Sequence, residues 1–303
     1  MTTLTPAKSP KAPRARRPAS TAPSAHRPVR PGRRLAAHAL VILACVLLLY
    51  PLIWMGGASL KPEDEIFADP GVLPGSPDLG NYTRGWDATG QPFGLYLLNS
   101  LLICVGAVIG NVIACSMAAY AFARLRFPFK RTLFAVMLLT IMLPHQVTLI
   151  PQYVLFDSLG WINTYLPLVV PKFLAVDAFF IFLMVQFIRA LPQELDDAAF
   201  VDGCSPFTVF RRVILPLSRP ALVTTAIFTF IWTWDDFLGQ LVYISDPALF
   251  TAPLGLRLFI DAGGESAWGP MFAMSVLSLI PTFGFFLAFQ KLLIEGISTS
   301  GLK

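Results

Sequence analysis

The chain has 303 residues, 55% of them hydrophobic and only 14% charged, with a mean hydropathy of +0.64. A soluble domain runs at about 45–50% apolar even on a broader count that includes glycine, so these values point to a membrane protein. Four cysteines without paired spacing, three scattered histidines and no HExxH, P-loop or GxSxG pattern offer no disulfide framework, metal knuckle or catalytic site. The expectation is a protein that is not an enzyme and binds no metal.

The net charge of +5 is unevenly placed. Residues 1–34 hold nine Lys/Arg and no acid, and they are rich in Pro, Ala and Ser with almost no apolar periodicity, which predicts a disordered basic tail. The tail lacks interleaved aromatics and runs straight into an apolar segment. It therefore reads as topogenic charge in contact with anionic lipid rather than as a nucleic-acid-binding arm. Tail and apolar run are both too long for a cleaved signal peptide.

Six membrane spans are expected in residues 35–303. The first runs from about Leu35 to Gly57 without a charge, and a polar segment from Ser59 to Pro92 follows with two basic and six acidic residues. The second covers about Leu95 to Ala123, a run of about 29 residues against the ~20 that a bilayer needs. Its Gly106 and Gly110, continued by Ala114, Ala118 and Ala121, predict a helix packed closely inside its own bundle, with homodimerisation as the alternative. The third span, Thr132 to about Phe156, is interrupted by Pro144 and Pro151. His145 beside the first proline either faces a pore or bonds a carbonyl at a helix bend.

The fourth span begins near Phe173 and ends near Ile188. Lys172 is placed to snorkel, and Asp177 lies deeper, either as a functional carboxylate or as a partner of Lys172 or of another subunit. The fifth, Pro220 to about Gln240, ends in Trp232, Trp234, Asp235 and Asp236. The tryptophans fit an interfacial belt and the acids lie near the far surface. After a polar segment, Ser245 to Trp268, the sixth span runs from Gly269 to about Leu293 with a kink at Pro281, and Glu295 to Lys303 form a short flexible end. Basic residues number nine in the tail, four at 124–131 and four at 189–219, against two, none and one on the opposite side. The positive-inside rule therefore makes the tail, the Arg124–Arg131 loop and residues 189–219 cytoplasmic, with both termini inside.

The segment Leu191 to Pro216 is too polar to cross a membrane. Pro192 suits a first helical position, Glu194, Asp196 and Asp197 a first turn, and Gly203 a left-handed cap, which predicts a helix of ~11 residues, about 16 Å long. Ser205 and Pro206 then restart a helix as N-cap and N1. A short, capped, acidic helix with Ala198 and Ala199 on its face reads as a peg for another protein.

These residues resemble the permease subunits of bacterial ATP-binding-cassette importers. The family's EAA loop is matched by Asp197-Ala198-Ala199, then Gly203, and the ending Val213-Ile214-Leu215-Pro216, with Asp for Glu and Val for Ile. Asn99-Ser100, Ala119-Tyr120-Ala121-Phe122-Ala123-Arg124, Val147-Thr148-Leu149-Ile150-Pro151, Pro216 to Leu222, Ala226 to Phe230 and Glu295-Gly296 are similar to the maltose-type sugar permeases. The likeness spans about Ser59 to Lys303. Two departures stand out: Asp235, where the family usually has Asn, and Asp177, where it usually has a small or apolar residue.

The resemblance implies an all-α membrane protein of the bacterial plasma membrane, with six spans and a cytoplasmic coupling helix between spans four and five. It implies a pairing with a second, different permease, an ATP-binding-cassette ATPase dimer and an extracytoplasmic solute-binding protein. ATP and Mg would reside on the ATPase, with no cofactor on this chain. Coupling would fall to Glu194, Asp197, Ala198, Ala199, Asp202, Gly203 and Pro216. The translocation path would involve Asn99, Asp177, Trp234, Asp235 and Asp236, and the solute would be a sugar. The competing readings are a permease for amino acid, peptide or phosphate, an ion-gradient-driven transporter, and a non-transporting scaffold.

Overall fold

The computed structural model describes residues 31–260 and 267–300. The expectations placed on residues 1–30 and on 301–303 lie outside the described residues. Among the described residues every regular element is helical. Four helices are long and apolar enough to cross a membrane, or up to six if each of two bent pairs counts as one span. The chain divides into two units, up to Tyr50 and from Pro51 onward. The helix α1 (Pro31–Ala58) passes through the division, and the end of the expected disordered tail, residues 31–34, forms its first turn.

The second unit is built around α3 (Phe93–Arg124), a helix of 32 residues. Tyr96, Asn99, Ser100, Ile103, Cys104, Ala107, Asn111 and Cys115 recur at helical spacing and are buried, which defines the face that neighbouring helices cover. The two glycines permit close approach. A Cβ on Gly106 would lie 2.9 Å from Val169, and one on Gly110 would lie 2.5 Å from Phe173. The small-residue motif thus packs inside its own bundle, as the sequence led us to expect.

The segment ahead of α3 holds the short helix α2 (Gly80–Asp87). Lys61 is buried there, its ammonium donating to the carbonyls of Asp69 at 2.6 Å and Gly71 at 2.7 Å. Glu63 accepts the backbone N–H groups of Trp268 and Gly269 at 2.6 and 2.9 Å, which places a carboxylate at the positive end of the last helix.

The remaining spans are more broken than their hydropathy suggests. The expected third span is two helices, α4 (Lys130–Thr140) and α5 (His145–Ser158), which meet at 102°. Pro144 lacks an N–H and pushes Leu143 out of helical geometry, and the freed carbonyls of α4 are taken by a tight turn through Leu143. Pro151 sits inside α5 without ending it.

The expected fourth span starts earlier than Phe173. A turn of helix at Leu166–Val169 passes into a 3-10 turn at Val170–Leu174, Ala175 takes a left-handed conformation (φ 55°), and α6 (Ala178–Ala190) follows. Next come α7 (Glu194–Val201) and the helical segment α8 (Pro206–Leu217).

The expected fifth span stops short of Gln240: α9 (Arg219–Trp234) ends at the two aspartates. Asp236 then caps α10 (Phe237–Tyr243) by accepting Gly239 N–H at 2.9 Å. An aspartate side chain that bonds the backbone ahead of it favours a cap over a continuous helix. After α11 (Ala252–Arg257), α12 (Trp268–Ser300) contains Pro281 and stays helical through residues 295–300, where a flexible end was expected.

Candidate functional site

Two features stand out, a capped peg and a cavity lined in part by charged side chains. The peg is α7, eight residues long rather than the expected eleven or so, because Pro192 and Gln193 form a turn whose Gln193 carbonyl accepts the N–H groups of Asp196 and Asp197. Gly203 takes φ 79°, and Cys204 N–H reaches back to the Ala199 carbonyl at 3.0 Å, a left-handed cap of the kind its sequence predicts. Ser205 receives Thr208 N–H at 3.3 Å with Pro206 at N1, so the second helix also starts where expected.

The peg has two faces. Asp196 and Ala199 point inward, while Glu194, Asp197, Ala198, Asp202 and Gly203 are exposed. Val201 is 88% exposed and Phe200 43%, with Phe207 of α8 at 62%, so apolar side chains stand in the open beside the acids. Pro216 is exposed at the far end of α8. The two alanines of the motif are therefore split, Ala198 outward and Ala199 packed against the core.

On its inner face the segment is tied to the spans in two ways. Val209, Phe210 and Ile214 join Tyr120, Met184, Val185 and Ile188 in one buried apolar cluster, with the rings of Tyr120 and Phe210 5.2 Å apart. Arg124, the last residue of α3, places Nε 3.0 Å from Asp196 Oδ2 and donates from Nη2 to the Leu191 carbonyl at 2.8 Å. The Asp196 contact is Coulombic rather than an aligned hydrogen bond. Burial pushes the Asp196 carboxyl above its ordinary value; Arg124 pulls it back and Asp197 pushes it up again.

Sequence reasoning placed Glu194 and Asp197 in the coupling set and passed over Asp196. The signal was present in part, because Asp196 and Ala199 are three apart and share a helix face. Its partner Arg124 is remote in sequence.

The cavity lies where the helices break. It has a volume of about 430 Å³ and is lined by His145, Lys172, Asp177, Trp232, Asp235 and Asp236 among others. An adjoining cavity of about 500 Å³ shares most of these and adds Thr148, Gln152 and Tyr243. Each break contributes one side chain or more: the α4–α5 bend presents His145, the Ala175 turn Lys172 and Asp177, and the α9–α10 junction both aspartates. Lys172 Nζ stands 2.9 Å from Asp177 Oδ2. Trp232 is half-exposed, with ring contacts to Phe179, Phe180 and Phe228 at 5.6, 5.1 and 5.9 Å.

Not every expected path residue reaches this space. Asn99 donates both amide hydrogens, to the carbonyls of Ala248 at 3.0 Å and Phe250 at 2.9 Å, and is buried as an anchor for that segment. Trp234 is buried and stacks on Phe230 at 5.7 Å, so Trp232 is the tryptophan that lines the cavity. Gln240, which the sequence reading used only as a span end, also lines it while donating to the Thr233 carbonyl at 3.1 Å and accepting from Thr251.

Comparison with known proteins finds relatives along most of the chain. The family described as "Binding-protein-dependent transport system inner membrane component" matches residues 110–298. The probable ABC transporter permease protein YurM of Bacillus subtilis is 34% identical over 263 residues, covering 87% of this chain and 86% of that protein. The trehalose/maltose transport system permease protein MalG of Thermococcus litoralis is also 34% identical, covering 86% and 94%. The sn-glycerol-3-phosphate transport system permease protein UgpE of Salmonella typhi is 32% identical over 277 residues, covering 89% and 98%. A solved structure of a bacterial ABC transporter involved in import of the acidic polysaccharide alginate has the same fold, with a TM-score of 0.75 over 87% of this chain and 98% of that one, at 21% identity.

Proposed function

The chain belongs to the family of inner-membrane components of binding-protein-dependent transport systems, and from that premise we propose how it works as the permease subunit of an ATP-binding-cassette importer. Six spans cross the inner membrane, with the bent pair α4–α5 counted as one and α9, the apolar half of the bent pair α8–α9, as another, and both termini lie in the cytoplasm. The peg α7 faces the cytosol and seats in a cleft of a partner ATPase dimer, which holds ATP and Mg. A second, different permease closes the other side of the path, and an external binding protein delivers the solute.

One observation carries this reading: an exposed helix, closed at its C-terminus by a left-handed glycine and joined to α3 by a buried ion pair and an apolar cluster. Closure of the ATPase dimer pulls the pegs together. Because α7 is fixed to the end of α3, that pull tilts the central helix instead of bending a loop. Glu194, Asp197 and Asp202 meet cationic groups of the ATPase, and Phe200 and Val201 fill its cleft. The cavity is the solute path, with Trp232 as an aromatic platform and Asp235, Asp236 and Gln240 as acceptors for hydroxyl groups. Aromatic faces combined with convergent acceptors suit a sugar.

Affinity purification of the tagged chain in mild detergent from its native cell tests the assembly. Recovery of an ABC ATPase together with a second permease is the expected result, and recovery of the chain alone with ion-driven uptake in liposomes would overturn it. The co-purified system's binding protein, screened against sugars, amino acids and peptides, tests the solute. Binding only to the latter two would sink the sugar reading and leave the permease standing.

A further inference from the structure

We propose that the cavity sorts its cargo by charge: it admits neutral or cationic sugars and turns away anionic ones, such as phosphorylated sugars and uronates. The inference rests on reading the cavity as the solute path. It goes further by naming the class of sugar that can pass.

The charged groups lining the two adjoining cavities are Asp177, Asp235 and Asp236 against Lys172 and His145. Lys172 is engaged with Asp177 at 2.9 Å, so the lysine offers an entering anion no free charge. Asp236 uses one oxygen to cap α10 and lines the cavity. The Asp235 carboxylate accepts no hydrogen bond from the protein among the described residues and has no cationic neighbour in salt-bridge range. Beyond that pair the wall presents two carboxyl groups, Asp235 and Asp236, that no lysine or arginine pairs among the described residues. In a space of about 430 Å³ no point is far from them.

Walls of low dielectric focus such a field, and a like charge brought against it is disfavoured both on approach and in residence. Family membership leaves the sign open, because two of the similar transporters are named for sn-glycerol-3-phosphate and for an acidic polysaccharide. The side chains lining this cavity determine it. Trp232 beside the carboxylates strengthens the case for cations, since an ammonium group over an indole face gains cation–π attraction as well.

The test reads the potential of the cavity without knowing the sugar. In the complete transporter, reconstituted in lipid nanodiscs, Thr233→Cys is introduced on a Cys45→Ser, Cys204→Ser background, the other two cysteines being buried. Its rate of disulfide formation with a trimethylammonium methanethiosulfonate is compared with that for the sulfonate analogue, each normalised to a small free thiol. We expect the cationic reagent to be favoured by at least tenfold, and the preference to shrink by threefold or more when Asp235→Asn and Asp236→Asn are added.

Thr148→Cys, on the adjoining cavity, repeats the measurement should the first variant fail to assemble. Equal rates, or a faster sulfonate, would overturn the charge rule and leave the path reading intact. A thiol that reacts with neither reagent at both positions would remove the aqueous path itself, and the charge rule with it.

Discussion

Two ion pairs of nearly equal length divide the molecule. Arg124–Asp196 spans 3.0 Å with side chains 10% and 5% exposed, and Lys172–Asp177 spans 2.9 Å with 27% and 26% exposed. The first joins the end of the unbroken helix α3 to the peg and is surrounded by an apolar cluster. The second lies across a turn between two broken helices and faces a cavity. A buried pair that loses one partner strands a charge, whereas a partly exposed pair leaves its remaining charge in reach of water. The same chemistry thus serves as a fixed joint at one end and as an exchangeable lining at the other.

The sharpest way to break this contrast is Arg124→Ala. It leaves Asp196 buried without its cation and the Leu191 carbonyl without its donor, and should cost about 3 kcal/mol, the lower end for a severed buried pair. Denaturant unfolding in mixed micelles measures the loss, and uptake should fall with it. The pH dependence refines the point. Burial raises the Asp196 carboxyl, so the folded chain binds its proton more tightly than the unfolded chain. Its stability contribution is then fullest below the ordinary carboxylate value and declines as pH rises through the raised one. Asp69 and Asp78 carry the opposite sign. The Gly71 amide and Lys61 lower the first, Arg84 and the Gly80 amide lower the second, and both lose stability as pH falls. The wild type minus Asp196→Asn difference isolates the first slope. A difference that rises with pH above 4 would contradict the burial argument.

Next in size is Gly110→Val, which drives a side chain into Phe173 where a Cβ alone comes within 2.5 Å. Overpacking of this kind costs about 1–3 kcal/mol. Because Phe173 lies in the turn that positions Lys172, uptake should fall by more than the stability loss explains. A variant of unchanged stability would show that α3 does not rest on this turn. Ala175→Gly acts in the opposite direction: a left-handed alanine is strained by about 1–2 kcal/mol, which glycine relieves, so a modest gain in stability of up to 1 kcal/mol is expected.

These sites also separate what could be read from the sequence from what could not. Gly203, Ser205 and Pro206 announced their caps because a left-handed position, an N-cap acceptor and a missing N–H are local properties of single residues. Gly106 and Gly110 announced close packing for the same reason. Ala175 gave no warning, since alanine is a good helix former and only the surrounding packing holds it at φ 55°. Asp235 and Asp236 were read as the polar end of a continuous span, although a cap-forming residue pair inside an apolar run also describes a break. The pairing of Arg124 with Asp196 needs two helices to be docked, and no spacing rule reaches that far. Pro144 marked the fracture in the third span, whereas continuous hydropathy hid those in the fourth and fifth, and these fractures are what bring polar side chains to the cavity.

The smallest expected effect is the most informative about the second pair. Lys172→Met removes the cation from a pair that is about a quarter exposed, so its stability cost should stay below about 1 kcal/mol. Methionine keeps the length of the stem and therefore its packing. If the pair only braces the Ala175 turn, uptake will follow stability and barely move. If it lines the solute path, the apparent KM for the transported solute will shift while unfolding stays nearly unchanged, because Asp177 is then released to face the cavity as a third free carboxylate. That release makes the wall more negative, so transport of a cationic sugar should gain relative to that of a neutral one in the same cells. A loss of stability as large as that of Arg124→Ala would collapse the distinction between the two pairs and place both in the structural frame.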